Sequence, residues 1–257
     1  MAAPLHFELD GERGSLVLLL HPIGLDGQRL EPFSRALGLD VRVLRVDLRA
    51  HGRSPGPPPA TLDGFADDLD ALLAAERLGP AHVVGFSFGG MVAQVLALKH
   101  PRAVRSLALV ATASSFGPFV RDELRERGRA AEEGGMAAVV PTTLERWFSP
   151  EFVGSDGVAP LRRYLLALDP AVWAETWRLI ATLDAAPRLG EITVPTLVLC
   201  GDLDASTPPW MAERTARALP RAELEIVPGG RHMSVIERPE LYAAPVASFL
   251  ARLSTDG

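Results

Sequence analysis

Short apolar runs alternate with amphipathic stretches along most of this 257-residue chain, and nothing else in the sequence restricts the fold as tightly. Segments 16–20, 41–46, 82–84, 106–110, 196–200 and 224–227 have the length and apolar density of buried strands. Segments 62–78, 89–99, 211–219 and 241–253 carry helical periodicity instead. A strand, a helix and another strand in succession require a crossover over the sheet face. The expected fold class is therefore α/β, a mainly parallel sheet with helices on both faces. Residues 5–9, which lead into the turn at Asp10-Gly11, read as an antiparallel edge strand. An apolar content of 47% is enough for one domain of this length to bury a substantial interior.

The alternation stops between about residues 114 and 187. That stretch is helical throughout, with Gly134-Gly135, Pro141, Pro150, Pro160 and Pro170 as expected breaks. It carries Trp147, Phe148, Tyr164, Trp173 and Trp177, more apolar bulk than a solvated bundle needs, so it should pack over something. The expected organisation is a core of residues 1–113 and 188–257 with an inserted helical cap. The cap would sit above the carboxyl ends of the strands, where open α/β sheets bind ligands.

A formal charge of -6 and the absence of any Lys/Arg-rich run argue against nucleic acid or a membrane surface as partners. The first ten residues lack a basic start followed by an apolar stretch, and the run at 16–20 is too short to cross a bilayer; a cytoplasmic protein is expected. Cys200, the only cysteine, closes an apolar run and reads as a core residue. The six histidines have no metal-type spacing, and no phosphate-binding Gly-Lys-Ser/Thr occurs, so neither a metal nor a nucleotide cofactor is implied.

Chemistry enters at Gly85-Phe86-Ser87-Phe88-Gly89, a G-x-S-x-G pentapeptide placed between a strand and a helix. The small residues allow a sharp turn that projects the serine, and the following helix aims free N–H groups at developing negative charge. A serine hydroxyl is a weak nucleophile until a base takes its proton. His232 stands on a loop between the last strand and the last helix; His51, on another such loop, is the runner-up. After the penultimate strand, Gly201-Asp202-Leu203-Asp204 offers two carboxylates to orient the histidine. Serine, acid and histidine then follow the chain order that this strand–turn–helix arrangement uses. Oxyanion donors are expected from the backbone N–H of Phe88 and, in the loop His21-Pro22-Ile23-Gly24, from that of Ile23. Residues 47–54 should shape the loop beside the cleft.

Through His21-Pro22-Ile23-Gly24 and residues 47–54, 85–90, 201–208 and 229–240, nearly the whole chain resembles the α/β-hydrolase superfamily. In that family the aspartate of G-x-x-D is the acid, which the resemblance assigns to Asp204. The chain is more closely similar to 3-oxoadipate enol-lactonases, through Glu145-Arg146-Trp147-Phe148-Ser149-Pro150, Leu168-Asp169-Pro170, residues 194–198 and residues 232–240. That similarity implies a small ester or lactone substrate bearing a carboxylate, hydrolysed through an acyl-enzyme without a cofactor. It also implies that Arg146 holds the carboxylate and Trp147 forms an apolar wall. Enol-lactonases usually carry Asn-Ser-Leu-Gly where this chain has His-Pro-Ile-Gly, and glycine where it has Ala50. Carbon–carbon bond hydrolases resemble it around Ser87-Phe88-Gly89-Gly90, and a ligand receptor could retain the same three residues.

Overall fold

The computed structural model describes residues 4–255. In chain order the elements are β1 (Phe7–Asp10), β2 (Leu16–Leu20), α1 (Glu31–Ala36), β3 (Arg42–Val46), α2 (Leu62–Ala75), β4 (Ala81–Phe86), α3 (Phe88–Lys99) and β5 (Val104–Val110). Five helices follow: α4 (Pro118–Gly134), α5 (Met136–Trp147), α6 (Pro150–Val153), α7 (Ala159–Leu166) and α8 (Pro170–Ile180). The chain then resumes with β6 (Thr196–Gly201), α9 (Pro209–Ala218), β7 (Ala222–Val227), α10 (Ser234–Glu237) and α11 (Glu240–Thr255).

The strands form one seven-stranded sheet in the order β1-β3-β2-β4-β5-β6-β7. β1 runs antiparallel to β3 at one edge, and every other pairing is parallel. β2, β4 and β6 are buried at every residue, because a parallel sheet covered on both faces has no solvated side. β7 closes the opposite edge and keeps Glu223 and Glu225 in solvent, charges that discourage a further strand from pairing there. Helix α1 was not foreseen from the sequence; at six residues with a proline in its first turn it is too short for apolar periodicity to register.

The in-register parallel pairing brings the carboxyl ends of β2, β4, β5, β6 and β7 to one edge of the sheet. From β2 the chain moves outward to β3 and then returns to the other side of β2 as β4. The loops after β2 and β4 therefore flank the point where strand order reverses, which is where a crevice opens in sheets of this kind.

The five helices between β5 and β6 leave and rejoin the sheet at a single place. Ser115 and Asp184 form an isolated antiparallel bridge, and Ala185 N–H donates to the Ser114 carbonyl at 2.8 Å. Gly135, at φ 69°, separates α4 from α5, and Pro150, Pro160 and Pro170 open α6, α7 and α8. Pro141, by contrast, does not break the chain: it lies exposed inside α5, where a proline forfeits a single N–H···O bond. Trp147, Trp173 and Trp177 are buried together, with Trp173 centred 6.3 Å from Trp147 and 5.8 Å from Trp177. The insertion thus has an aromatic interior of its own. Among the described residues, no helix is long and apolar enough to cross a membrane.

Helices α4 and α8 pack closely at Gly128, where an added Cβ would lie 2.9 Å from the Ala174 carbonyl oxygen and 3.0 Å from its Cα. Alanine in a helix interior is ordinarily better than glycine by about 1 kcal/mol. Forcing two backbones apart in a packed interior costs about 1–3 kcal/mol. Gly128→Ala should therefore lower the unfolding midpoint in a thermal melt instead of raising it, and a rise would mean that α4 and α8 are not held at this distance.

Candidate active site

Ser87 sits between β4 and α3 with φ 50° and ψ -112°, a conformation that costs an ordinary side chain on the order of 1–3 kcal/mol. The surroundings impose it. The Ser87 N–H donates to the Val110 carbonyl at 2.9 Å, and the Ser87 carbonyl accepts from the Thr112 hydroxyl at 2.7 Å and from the N–H groups of Gly90 and Met91. A Cβ at Gly89 would run into the Leu20 backbone, so only glycine lets α3 start this close to β2. The outcome is a hydroxyl raised above the strand ends.

His232 Nε2 lies 3.0 Å from Ser87 Oγ, and His232 Nδ1 lies 2.9 Å and 3.1 Å from the two carboxylate oxygens of Asp204. All three side chains are buried. Asp204 is well supplied with donors: the N–H groups of Ser206 and Thr207 both reach Oδ1 at 2.8 Å, and the Thr207 hydroxyl reaches Oδ2 at 2.9 Å. Burial pushes the Asp204 carboxyl up, but the facing His232 and these hydrogen bonds outweigh it and hold the group below the usual aspartate range. Asp202 has a different job: its carboxylate accepts the Gly229 N–H at 2.7 Å and braces the loop that carries His232. Cys200 is a buried strand residue whose thiol is pushed up by burial, and its sulfur faces the carbonyl oxygens of Gly201 and Thr207.

The N–H of Phe88 falls at the first position of α3, and that of Ile23 in the loop after β2. Among the described residues neither finds an acceptor. Ile23 lines the same cavity as Ser87 and His232, a space of about 40 Å³. That loop is held by His21, whose Nδ1–H donates to the Pro22 carbonyl at 2.8 Å while Nε2 accepts the Leu48 N–H at 2.9 Å. The two partners fix the tautomer and leave the ring neutral. Burial pushes His21 from its ordinary 6.5 down to about 4. His51, its ring tilted against those of His21 and Phe88 at centroid distances of 5.2 Å and 5.8 Å, falls to about 3 through burial and the neighbouring His21. His51 Nδ1 bonds to the Arg49 carbonyl and packs behind the Phe88 ring rather than meeting the serine. Asp47 organises the adjoining loop by accepting the N–H groups of Gly27 at 2.7 Å and Arg53 at 2.8 Å. Ala50 adopts φ 66°, in the left-handed region that glycine enters at no steric cost.

Trp147 and Arg146 part company. Trp147 is buried and lines the cavity with Ser87 and His232. Arg146 is exposed and does not line that cavity, because successive residues of α5 point about 100° apart around the helix. It faces an adjacent hollow of about 410 Å³. The guanidinium that does line the serine cavity belongs to Arg127 of α4. Its sequence signal was available: Val120, Leu124 and Arg127 recur at helical spacing, so the arginine continues an apolar stripe.

The segment Trp147-Phe148-Ser149 serves the site in another way as well. The Met233 N–H donates to the Trp147 carbonyl at 3.1 Å, and Glu237 of α10 accepts the Ser149 N–H at 3.0 Å and its hydroxyl at 2.5 Å. The insertion is thereby fastened to the loop that carries His232.

A parallel sheet with this strand order, carrying a serine at a strained strand-to-helix turn, matches the alpha/beta hydrolase family over residues 17–244, and the chain belongs to that family. It is 34% identical to a pimeloyl-[acyl-carrier protein] methyl ester esterase of Chromobacterium violaceum, over 93% of this chain and 95% of that protein. It is 29% identical to 3-oxoadipate enol-lactonase 1 of Acinetobacter baylyi, over 93% and 90%. The solved enol-lactonase of Burkholderia xenovorans LB400 superposes with a TM-score of 0.87 at 30% identity, covering 96% of each chain. The chain also matches the polyketide synthase ThaQ of Burkholderia thailandensis at 31% identity, and spans 12% of its length.

The buried neutral histidines predict an acid-side weakness. Unfolded, His21 and His51 titrate near 6.5; folded, they resist protonation down to about 4 and about 3. The unfolded chain therefore binds more protons as pH falls below 6.5, so stability is intact above that pH and declines toward pH 4. Each ring should remove about 2 kcal/mol between pH 7 and pH 5. In urea titrations at the two pH values His51→Gln should lose markedly less than the wild type, and an identical loss would show that His51 is not held neutral.

Proposed function

We propose that the protein is a serine hydrolase that cleaves a small ester or lactone through an acyl-enzyme, with Ser87 as nucleophile, His232 as base and then acid, and Asp204 as the group that orients His232. The observation that carries this reading is the unbroken hydrogen-bond line from the Asp204 carboxylate through His232 to Ser87 Oγ. As Oγ attacks the carbonyl carbon, its proton passes to His232 Nε2, and the imidazolium is stabilised by the Asp204 carboxylate. The oxyanion develops toward the N–H groups of Phe88 and Ile23, each of which lacks a competing acceptor. His232 returns the proton to the departing alkoxide, then takes one from the water that releases the acid. No cofactor takes part in these steps.

The substrate side of the reading rests on the cavity. It is small and walled by Trp147, Trp177, Phe116 and Met91, which suits a short acyl chain, and it lies beneath the inserted helices, which we read as a cap of about residues 114–187 over the sheet-bearing core. Similarity to an enol-lactonase and to a methyl ester esterase supports a carboxylic ester or lactone, and the enol-lactonase likeness supports one bearing a remote carboxylate.

A fluorophosphonate should label Ser87 stoichiometrically, with the adduct mapped by mass spectrometry, and Ser87→Ala should lose both labelling and esterase turnover. Asp204→Asn should reduce kcat by about 10⁴, the scale seen for the corresponding change in a serine protease. Asp202→Asn should have little effect on kcat, since its amide oxygen can still accept the Gly229 N–H and only the charge on that bond is lost. Labelling at another residue, or a larger kcat loss in Asp202→Asn than in Asp204→Asn with both variants folded, contradicts the assignment.

A further inference from the structure

Arg127 stands at a boundary. It lines the small cavity that holds Ser87 and His232, and it also lines the larger hollow of about 410 Å³ outside it, where Arg146 is a neighbour. Trp147 and Trp177 are shared by both spaces, so these three side chains form the wall between them. Helix α4 explains the placement: Val120, Leu124 and Arg127 face the serine, while Glu123, Glu126 and Arg127 face the hollow.

The hydrogen bonding of α4 sets this arginine apart from the others. Arg121 donates to the carbonyls of Phe116 and Leu183, Arg125 pairs with Asp122, and Arg129 pairs with Glu126 and Glu133. Arg127 alone among the α4 arginines has neither a hydrogen bond nor an ion pair; its guanidinium lies over the Trp177 ring, 5.2 Å from the centroid. Glu123, its acidic neighbour in the hollow, is too far away to form an ion pair with it. Burial, reinforced by the like charge of Arg146 and opposed by Glu123, pushes Arg127 down to about 10, so it remains charged at neutral pH. A half-buried, charged guanidinium with no acceptor from the protein has its donors available to an anion that arrives with a substrate.

We propose that Arg127, with Arg146 behind it, forms an anion subsite for the carboxylate at the far end of the substrate while the scissile ester lies against Ser87. The inference rests on the ester or lactone hydrolase reading above and adds the residue that selects a short dicarboxylic monoester or carboxylate-bearing lactone. With the guanidinium lying over the Trp177 ring, its paired N–H groups would meet both carboxylate oxygens. Arg146 contributes from the exposed hollow, where solvent screens it, and its share is the smaller one.

The test compares monomethyl glutarate with its neutral isostere, in which a primary amide replaces the carboxylate. The wild type should favour the acid, and Arg127→Gln should cut the acid-to-amide ratio of kcat/KM about tenfold or more, mainly through KM for the acid. Arg127→Lys, which keeps the charge but loses the planar fork, should retain part of that preference, and Arg146→Gln should lower it less. A ratio that stays within about twofold in Arg127→Gln overturns the proposal. Binding of monomethyl glutarate to Ser87→Ala, followed by tryptophan fluorescence with and without Arg127→Gln, requires no turnover. Arginine-dependent binding with no hydrolysis of either ester would support the anion subsite and strike the hydrolase reading; turnover of both esters with arginine-independent binding would do the reverse.

Discussion

The turn at Ser87 is the constraint on which the rest of the site depends. A residue other than glycine held at φ 50° must be compensated by its neighbours, and here the same neighbours shape the site proposed for the chemistry. The tight entry of α3 against β2 leaves the Phe88 N–H free and sets it beside the loop after β2 that carries Ile23. The Thr112 hydroxyl, bonded to the Ser87 carbonyl, ties the same turn to the end of β5. Relaxing the turn would therefore displace the Ser87 hydroxyl and the proposed oxyanion donor together.

Charge around the turn is arranged by burial and hydrogen bonding. Asp204 is kept ionised by three donors besides His232, so its negative charge is in place for the imidazolium that the proposed mechanism forms. On the opposite flank, His21 and His51 are kept neutral by burial, so no second imidazolium stands next to the oxyanion loop or draws on the Asp47 and Asp26 carboxylates. The acid sensitivity of these rings follows from the same arrangement.

The central sheet was legible in the sequence because strands buried on both faces become nearly continuous apolar runs; β2, β4 and β6 are of this kind. Helix α1 and the uninterrupted course of α5 through Pro141 were not, since the first is too short to show a period and the second keeps its helix at the loss of one hydrogen bond. Around the serine, strand-to-helix context and chain order single out Ser87 and His232, whereas spacing alone offers both Asp202 and Asp204, and only the resemblance through G-x-x-D favours Asp204. In three dimensions Asp204 meets the imidazole and Asp202 the Gly229 N–H. Arg127 was overlooked because a charged residue on an apolar helical stripe reads as a stem that reaches solvent; whether its head ends in water or beside a serine depends on how α4 lies over the sheet.

The Arg-Trp-Phe-Ser-Pro segment shows how a motif can be specific without touching substrate at every position. Its tryptophan carbonyl and its serine are engaged by Met233 and Glu237, the residues that follow His232, so most of the segment is a fastening between the inserted helices and the histidine loop. Arg146 is free of that duty and points away from the cavity, while the tryptophan ring alone reaches it. A geometric role of this kind can be common to esterases and lactonases that differ in what they cleave, because any of them must hold the base at hydrogen-bond distance from the nucleophile. In the reading proposed here, selectivity falls to Trp147 and to side chains outside the motif, on the face of α4 turned toward Ser87, where substitution can alter the cavity without loosening the fastening.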